Sequence, residues 1–204
     1  MPRQLLLATT NEGKLREIRA LLAGLAIDLV GLADVAPVDA PEETGATFAE
    51  NARLKAEYYS RAAGRPAVAE DSGLEVDALG GAPGVQSARY GGADATYEEK
   101  FRLIYAGLAS AGVETSPARF VCALALAETG TVTFEARGVV EGRIAPRPAG
   151  SGGFGYDPIF FYPPYGSTLA EVDAARKSAV SHRGQAFRAL RVFLQTGWRL
   201  EDRA

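Results

Sequence analysis

A glycine-rich segment and a basic segment in the C-terminal third hold the side chains best suited to bind a ligand. The first reads Ser-Gly-Gly-Phe-Gly-Tyr-Asp at 151–157, and the second reads Lys-Ser-Ala-Val-Ser-His-Arg at 177–183. Glycine has no Cβ, so its backbone can approach a ligand closely, and Phe154 and Tyr156 offer rings for stacking. The second segment adds an ammonium, an imidazole and a guanidinium, which suit phosphates and carbonyl oxygens. Together these groups predict a nucleotide site.

A second candidate for anion binding lies near the N-terminus. An apolar run at 4–8, predicted as a strand, is followed by Thr9-Thr10-Asn11-Glu12-Gly13-Lys14 and then by apolar residues at helical spacing. Free backbone N–H groups at a helix start favour an anion, and Lys14 can reach a phosphate. The pattern is not a Walker A loop, which needs GxxxxGK[ST]. The alternative is that Thr10 or Asn11 only caps the helix and Lys14 is solvated.

Four acidic residues are candidate metal ligands: Glu42, Glu43, Glu70 and Asp71. Mg²⁺ prefers oxygen ligands and is usually held by one or two carboxylates together with substrate phosphates. Asp71 follows a short apolar run at 66–69, predicted as a strand, and ligands in open α/β sheets bind where strands end. Glu-Asp-Ser-Gly is also ordinary turn composition, so a plain turn remains an alternative.

Local patterns predict the elements that must position these residues. Thr47 and Thr96 each begin a capping box, which predicts one helix from about residue 48 to 62 and another after residue 96. Ser181 is a candidate cap for a last helix that ends before Gly197. Strands are predicted at 4–8, 28–31, 66–69, 74–79, 119–127, 132–144 and 158–161, with a hairpin joining the fifth and sixth. This mixture predicts an α/β fold with a mixed sheet.

Composition narrows the class of protein. The 204 residues are 47% hydrophobic and 23% charged, as in an ordinary globular protein. The formal net charge of −3 argues against non-specific nucleic-acid binding, and no apolar stretch approaches transmembrane length. Cys122, the single cysteine, excludes an intrachain disulfide, and its apolar neighbours predict a buried, inert thiol. We therefore expect a cytoplasmic protein without a membrane or nucleic-acid partner.

The chain resembles the inosine/xanthosine triphosphate pyrophosphatases over most of its length, from Leu5 to Ala189. The resemblance is carried, in this order, by the segments 9–14, 42–48, 70–74, 80–84, 87–90, 152–158 and 177–184. Each segment alone is a weak signal, whereas all of them in this order are highly specific.

The resemblance implies a fold, an activity and an assembly. The fold would be an elongated mixed β-sheet with flanking helices, forming two lobes around a central cleft within one inseparable domain, residues 1–204. The reaction would be Mg²⁺-dependent hydrolysis of ITP, dITP and XTP between the α- and β-phosphates, which yields the monophosphate and pyrophosphate. The enzyme would be a homodimer.

The resemblance also implies roles for individual residues. Glu42 and Asp71 would bind Mg²⁺, and Asp71 would also be the general base. Whether Glu43 or Glu70 adds a ligand is left open. The implied nucleotide contacts are Thr9, Thr10, Asn11, Glu12, Gly13, Lys14, Ser72, Phe154, Gly155, Tyr156, Asp157, Lys177, His182 and Arg183.

Two residues depart from the pattern of the family, and the sequence also allows two alternative functions. Thr10 stands where relatives often have glycine, and Glu70 stands where some have aspartate. One alternative is a nucleotide pyrophosphatase for modified pyrimidine or standard triphosphates, which a substrate panel would distinguish. The other is a nucleotide-sensing or RNA-binding module, which would bind without metal or turnover and, for RNA, with steep salt dependence.

Overall fold

The computed structural model describes residues 3–198, in which apolar runs form strands and capped segments form helices. The helices are α1 (Glu12–Leu22), α2 (Phe48–Ala63), α3 (Tyr97–Ser110), α4 (Ala174–Val180) and α5 (His182–Thr196). The strands are β1 (Arg3–Leu7), β2 (Ile27–Gly31), β3 (Ala67–Val76), β4 (Pro117–Glu128), β5 (Thr131–Ile144), β6 (Phe160–Tyr162) and β7 (Ser167–Thr168).

The strands form one mixed sheet in the order β2-β1-β3-β4-β5-β6-β7. At one end β1 runs parallel to β2 and β3, and at the other β6 runs antiparallel to β5 and β7. Leu5, Leu6 and Leu7 are fully buried in β1, because a parallel strand is covered on both faces and so carries a continuous apolar run. The predicted α/β fold with a mixed sheet is confirmed.

The capping boxes predicted at the starts of α2 and α3 are confirmed. Thr47 Oγ1 accepts a hydrogen bond from the Glu50 N–H at 3.2 Å, and Glu50 accepts one from the Thr47 N–H at 3.1 Å. Thr96 and Glu99 repeat the arrangement at α3. Each box satisfies backbone donors that the first helical turn leaves without an intrahelical acceptor, so both helix starts are fixed.

Two strands predicted at 66–69 and 74–79 are wrong as separate elements, because β3 continues through Glu70 and Asp71. Both side chains are buried. Lysines from α1 and α2 pair with them, and this tertiary neutralisation overrides the turn composition of the segment. Asp71 therefore lies inside a strand rather than at its end. The sequence reading also missed α4 and β7.

Two compact units divide the chain. Of the described residues, the first comprises 3–71, 123–137 and 184–198, and its buried apolar residues include Leu6, Ile18 and Phe187. The second comprises residues 72–122 and 138–183, and its core includes Phe101 and Phe160. Three strands, β3, β4 and β5, continue from one unit into the other.

Cys122 is fully buried in β4, which confirms the prediction of a core thiol. Within residues 3–198, none of the helices combines the length and the apolar character needed to cross a membrane.

Candidate active site

The Asp71 carboxylate is held by two side chains of α2. Asn51 Nδ2 donates a hydrogen bond to one oxygen at 3.1 Å, and Lys55 Nζ lies 3.2 Å from the other. Lys55 Nζ also lies 2.6 Å from a carboxylate oxygen of Glu43. Asn51 and Lys55 are four residues apart and so share one face of α2. The fixed start of this helix therefore places an amide and an ammonium against Asp71.

Burial and neighbouring charge raise the pKa of Asp71 above its ordinary value. Burial is the largest cause; Lys55 and Asn51 oppose it, whereas Glu43 and Glu70 add to the rise. For Lys55 itself, burial lowers the pKa, but the surrounding carboxylates outweigh burial and the pKa is raised overall. The ammonium thus stays charged. A carboxyl group with a raised pKa accepts a proton more readily, as a general base must.

The N-terminal loop, residues 9–14, follows β1 and runs into the first turn of α1, where Lys14 forms an ion pair with the buried Glu70. Asn11 Oδ1 accepts a hydrogen bond from the Lys14 N–H at 3.0 Å, which confirms Asn11 as the helix cap. Thr9 Oγ1 accepts one from the Asn11 N–H at 3.2 Å. Lys14 Nζ lies 2.8 Å from Glu70 Oε1, whose side chain is 1% exposed. Lys14 is therefore oriented by Glu70, not simply solvated.

The two adjacent glutamates differ in their surroundings, since Glu42 is exposed and Glu43 is half-buried beside Lys55. Among residues 3–198, no group of three or more Asp, Glu, His or Cys side chains is arranged to hold a metal ion. A hard divalent cation bound by one or two carboxylates and by substrate phosphates needs no such group. Carboxylates that already face the Lys55 ammonium fit a cation bound in this way.

In the second unit, Asp157 closes the aromatic loop, which we define as residues 154–157. Its Oδ2 accepts hydrogen bonds from the Phe154 N–H at 2.8 Å and from Lys177 Nζ at 2.6 Å. Both side chains of the Asp157–Lys177 pair are buried, at 3% and 6% exposure. Gly153 has φ +68°, and a Cβ there would lie 2.1 Å from the Asp157 carboxylate. Glycine is therefore required for the loop to close on Asp157.

Two cations lie over the ring of Phe154. Lys177 Nζ is 4.4 Å from the ring centroid and Arg183 Cζ is 5.5 Å from it. Arg183 Nη2 also donates a hydrogen bond to Ser72 Oγ at 3.0 Å. The structure thus brings Ser72, Phe154, Lys177 and Arg183 together. A base that stacks on Phe154 must share the ring with these cations or replace them.

Tyr156 and His182 are placed by packing. Tyr156 is 4% exposed, and its hydroxyl donates to the Ser87 carbonyl at 2.8 Å, so it fixes the aromatic loop from the core side. His182, the first residue of α5, is 6% exposed and stacks on Phe120 with a centroid distance of 4.9 Å. Because the rings of Tyr156 and His182 are held in place, they restrict the positions that the side chains of Phe154 and Arg183 can take.

The predicted site residues therefore form two sets. Asp71 and Lys14 lie in the first unit with Glu70, and the residues around Phe154 lie in the second. Asp71 and Ser72 are consecutive residues of β3, so this strand carries one member of each set.

Sequence reasoning missed Asn51 and Lys55, the two α2 side chains that contact Asp71. Their spacing after the Thr47 capping box shows that they share a helix face. Nothing in one sequence, however, indicates that this face points toward Asp71, because that contact depends on how α2 packs.

The similarity to known proteins extends over nearly the full length of the chain. Residues 5–193 match the Ham1 family. The dITP/XTP pyrophosphatase of Shigella flexneri is 48% identical over 197 residues, covering 95% of this chain and 99% of that protein. The dITP/XTP pyrophosphatase of Gloeobacter violaceus is 51% identical over 191 residues, covering 93% of each chain.

Solved structures of Ham1 proteins are also similar to this chain. A HAM1 protein from Coxiella burnetii superposes with a TM-score of 0.88 at 42% identity, covering 95% of this chain and 98% of that one. The Ham1 protein of Staphylococcus aureus superposes with a TM-score of 0.84 at 35% identity and the same coverage. The sequence match, the fold and the order of the motifs agree, and the chain belongs to the Ham1 family.

Proposed function

We propose that this protein hydrolyses ITP, dITP and XTP between the α- and β-phosphates, releasing the nucleoside monophosphate and pyrophosphate. The observation that carries the proposal is the buried Asp71 carboxylate, held by Lys55 and Asn51, in a chain whose relatives are named dITP/XTP pyrophosphatases. Such an activity keeps deaminated purines out of DNA and RNA.

Asp71 is assigned as the general base. The oxygen of a water molecule attacks the α-phosphorus, and the bond from that phosphorus to the oxygen bridging the β-phosphorus breaks. The water proton passes to Asp71, whose pKa is raised by burial. Lys55 and Asn51 hold the two carboxylate oxygens and thereby orient the base.

Glu42 and Asp71 are proposed to hold Mg²⁺, as the resemblance implies. A bound Mg²⁺ would draw negative charge from the phosphate oxygens. The half-buried Glu43 is a further candidate, because it shares Lys55 with Asp71.

The N-terminal loop is assigned to the triphosphate. The first turn of α1 offers backbone N–H groups and the positive end of the helix dipole. Lys14 is held 2.8 Å from Glu70, so its ammonium is oriented before the phosphates arrive, which lowers the entropic cost of binding them.

The second set, the residues around Phe154, is assigned to binding the purine. Hypoxanthine and xanthine present O6 as an acceptor, whereas adenine presents an amino donor at the same position. Donors from His182 or Arg183 could therefore bond to O6 but not to the amino group of adenine. A site built on hydrogen bonds to a substrate group rejects an analogue that cannot form them. Guanine also carries O6, so its rejection must involve the 2-position.

Three further properties belong to this proposal and rest on the resemblance and the composition: Mg²⁺ as the cation, a homodimer, and a cytoplasmic location. The continuity of β3, β4 and β5 through both units supports folding of the chain as one domain.

Replacing Arg183 with alanine should lower the ratio of kcat/KM for ITP over ATP by about tenfold to a hundredfold, the value of a hydrogen bond from a charged donor. The measurement is steady-state kinetics with each nucleotide. Arg176→Ala is the matched control, because Arg176 lies on α4 against Tyr165, outside the proposed site. An unaltered ratio in the Arg183 variant would argue against O6 recognition by this residue.

The proposed bond cleavage is tested by hydrolysing ITP in ¹⁸O-labelled water. Attack at the α-phosphorus places the label in IMP and leaves the pyrophosphate unlabelled. Release of orthophosphate, or label in the pyrophosphate, would contradict the proposal.

A further inference from the structure

Tyr97 is a large aromatic residue that the functional assignment above leaves without a role. It is the first residue of α3 and follows Thr96, the N-cap of the Thr96–Glu99 capping box. The residue is 40% exposed, so one part of it is packed against the protein and another part faces solvent. The capping box fixes the backbone on which the ring is carried, because it satisfies the free donors of that turn.

The ring of Tyr97 packs against the aromatic loop. It meets the ring of Tyr156 edge to face, with centroids 5.3 Å apart and planes at 88°, the geometry that aromatic pairs prefer. Phe101, one turn further along α3, is 6.2 Å from both rings. Three rings thus form one cluster, and Tyr156 is the member that belongs to the loop.

The hydroxyl of Tyr97 lies beside the backbone of the same loop. Gly155 has φ +69°, and a Cβ placed there would be 3.6 Å from the Tyr97 hydroxyl oxygen. Burial, and then the negative charge of Asp157, raise the pKa of Tyr97, which agrees with a hydroxyl close to that carboxylate. Tyr97 therefore contacts the loop at Tyr156 and lies beside Gly155, the two residues that follow Phe154.

Lys100 supports the ring from α3 itself. Its Nζ lies 4.7 Å from the Tyr97 ring centroid and donates a hydrogen bond to the Ala88 carbonyl at 2.6 Å. The lysine is buried, so the ammonium is fixed rather than solvated. A desolvated cation near an aromatic ring is stabilising, and Tyr97 is thereby restrained on a second side.

We propose that Tyr97 is a positioning residue that holds the aromatic loop so that Phe154 can receive the purine, and thereby sets the affinity for the nucleotide. The inference rests on the proposed function. Tyr97 acts through Phe154 and not on the reacting atoms, so its loss should raise KM and leave kcat nearly unchanged.

Three single variants test this inference with ITP as substrate. Tyr97→Ala should raise KM about threefold to tenfold, the worth of an aromatic contact of this kind. Tyr97→Phe keeps the ring and should recover most of the affinity. Leu103→Ala is the matched control, because Leu103 lies on the same helix, is 39% exposed and lies beside Gly91. The KM of this variant should be unchanged.

A double-mutant cycle separates positioning from general destabilisation. If Tyr97 acts through Phe154, the Tyr97→Ala change should have no further effect on KM in a Phe154→Ala background, since interacting residues are not additive. Additive effects, or an unchanged KM in Tyr97→Ala, would overturn the inference. Tyr97→Leu, which retains apolar bulk, replaces the alanine variant if that variant does not fold.

The two proposals fail in different ways. If the wild-type protein releases no pyrophosphate from ITP, the proposed function is wrong and the inference falls with it. If the wild-type protein is active and the Tyr97 variants match Leu103→Ala, only the role of Tyr97 is wrong.

Discussion

Replacing Asp71 with asparagine should reduce kcat for ITP by about a thousandfold, within the range that a general base contributes. The amide has nearly the shape of the carboxylate but cannot accept the water proton. The fold should persist, because Glu43 remains 2.6 Å from Lys55 and keeps that buried ammonium paired. Initial rates give the loss of turnover, and a thermal melt followed by circular dichroism checks the fold.

Asp77→Asn is the matched control for this variant. Asp77 follows the end of β3 and lies 3.0 Å from Arg119, outside the proposed site. Its turnover should remain close to wild type. Activity near the wild-type level in Asp71→Asn would remove Asp71 from its role as general base.

Replacing Lys177 with methionine should lower the free energy of unfolding by about 3–5 kcal/mol, the usual cost of removing one partner of a buried ion pair. The change leaves the Asp157 carboxylate, whose side chain is 3% exposed, without its ammonium. The same carboxylate accepts the Phe154 N–H, so the aromatic loop should loosen and nucleotide affinity should fall as well. Urea denaturation measures the first effect and calorimetry with ITP the second.

Arg53→Met provides the comparison for an exposed pair. Arg53 and Glu135 are 2.5 Å apart, but their side chains are 49% and 42% exposed. Water screens such a pair, so its loss should change stability little. If Lys177→Met were no more destabilising than Arg53→Met, the buried Asp157–Lys177 pair would not hold the loop. The double variant Lys177→Met, Asp157→Asn should recover part of the loss, because both charges of the buried pair are then removed together.

The fold was predictable where the signal is local. The capping boxes at Thr47 and Thr96 involve residues three apart, and α2 and α3 begin where those boxes indicate. The β4–β5 hairpin follows from two apolar runs around a short turn. Such signals can be read from one sequence because both interacting groups lie within a few residues.

The full extent of β3 was not predictable, because the interactions that bury its middle residues are not local. Glu70 and Asp71 have turn composition, and their burial in β3 depends on Lys14 and Lys55, which lie 56 and 16 positions earlier in the chain. No local pattern records such pairings. The two-residue strand β7 was missed because so short an element is held by its tertiary surroundings more than by propensity. Helix α4 does carry a local signal, the Asp173 cap that accepts a hydrogen bond from the Arg176 N–H, and the sequence prediction overlooked it.

The candidate site was likewise predictable in part: residue types could be identified from the sequence, but contacts between distant residues could not. The motifs identified the residue types and their order, and Ser72, Phe154, Lys177 and Arg183 do meet in the structure. Two contacts became visible only through three-dimensional packing: that of Lys55 with Asp71, and that of Tyr97 with the aromatic loop.

Pyrophosphate release from ITP, XTP, GTP and ATP, each with Mg²⁺ and with EDTA, tests the central claim most directly. The proposed function predicts fast release from ITP and XTP with Mg²⁺, little from GTP and ATP, and none with EDTA. Equal rates on all four nucleotides would retain the chemistry assigned to Asp71 but contradict recognition of the base by the second set. No release from any of them would contradict the proposed function.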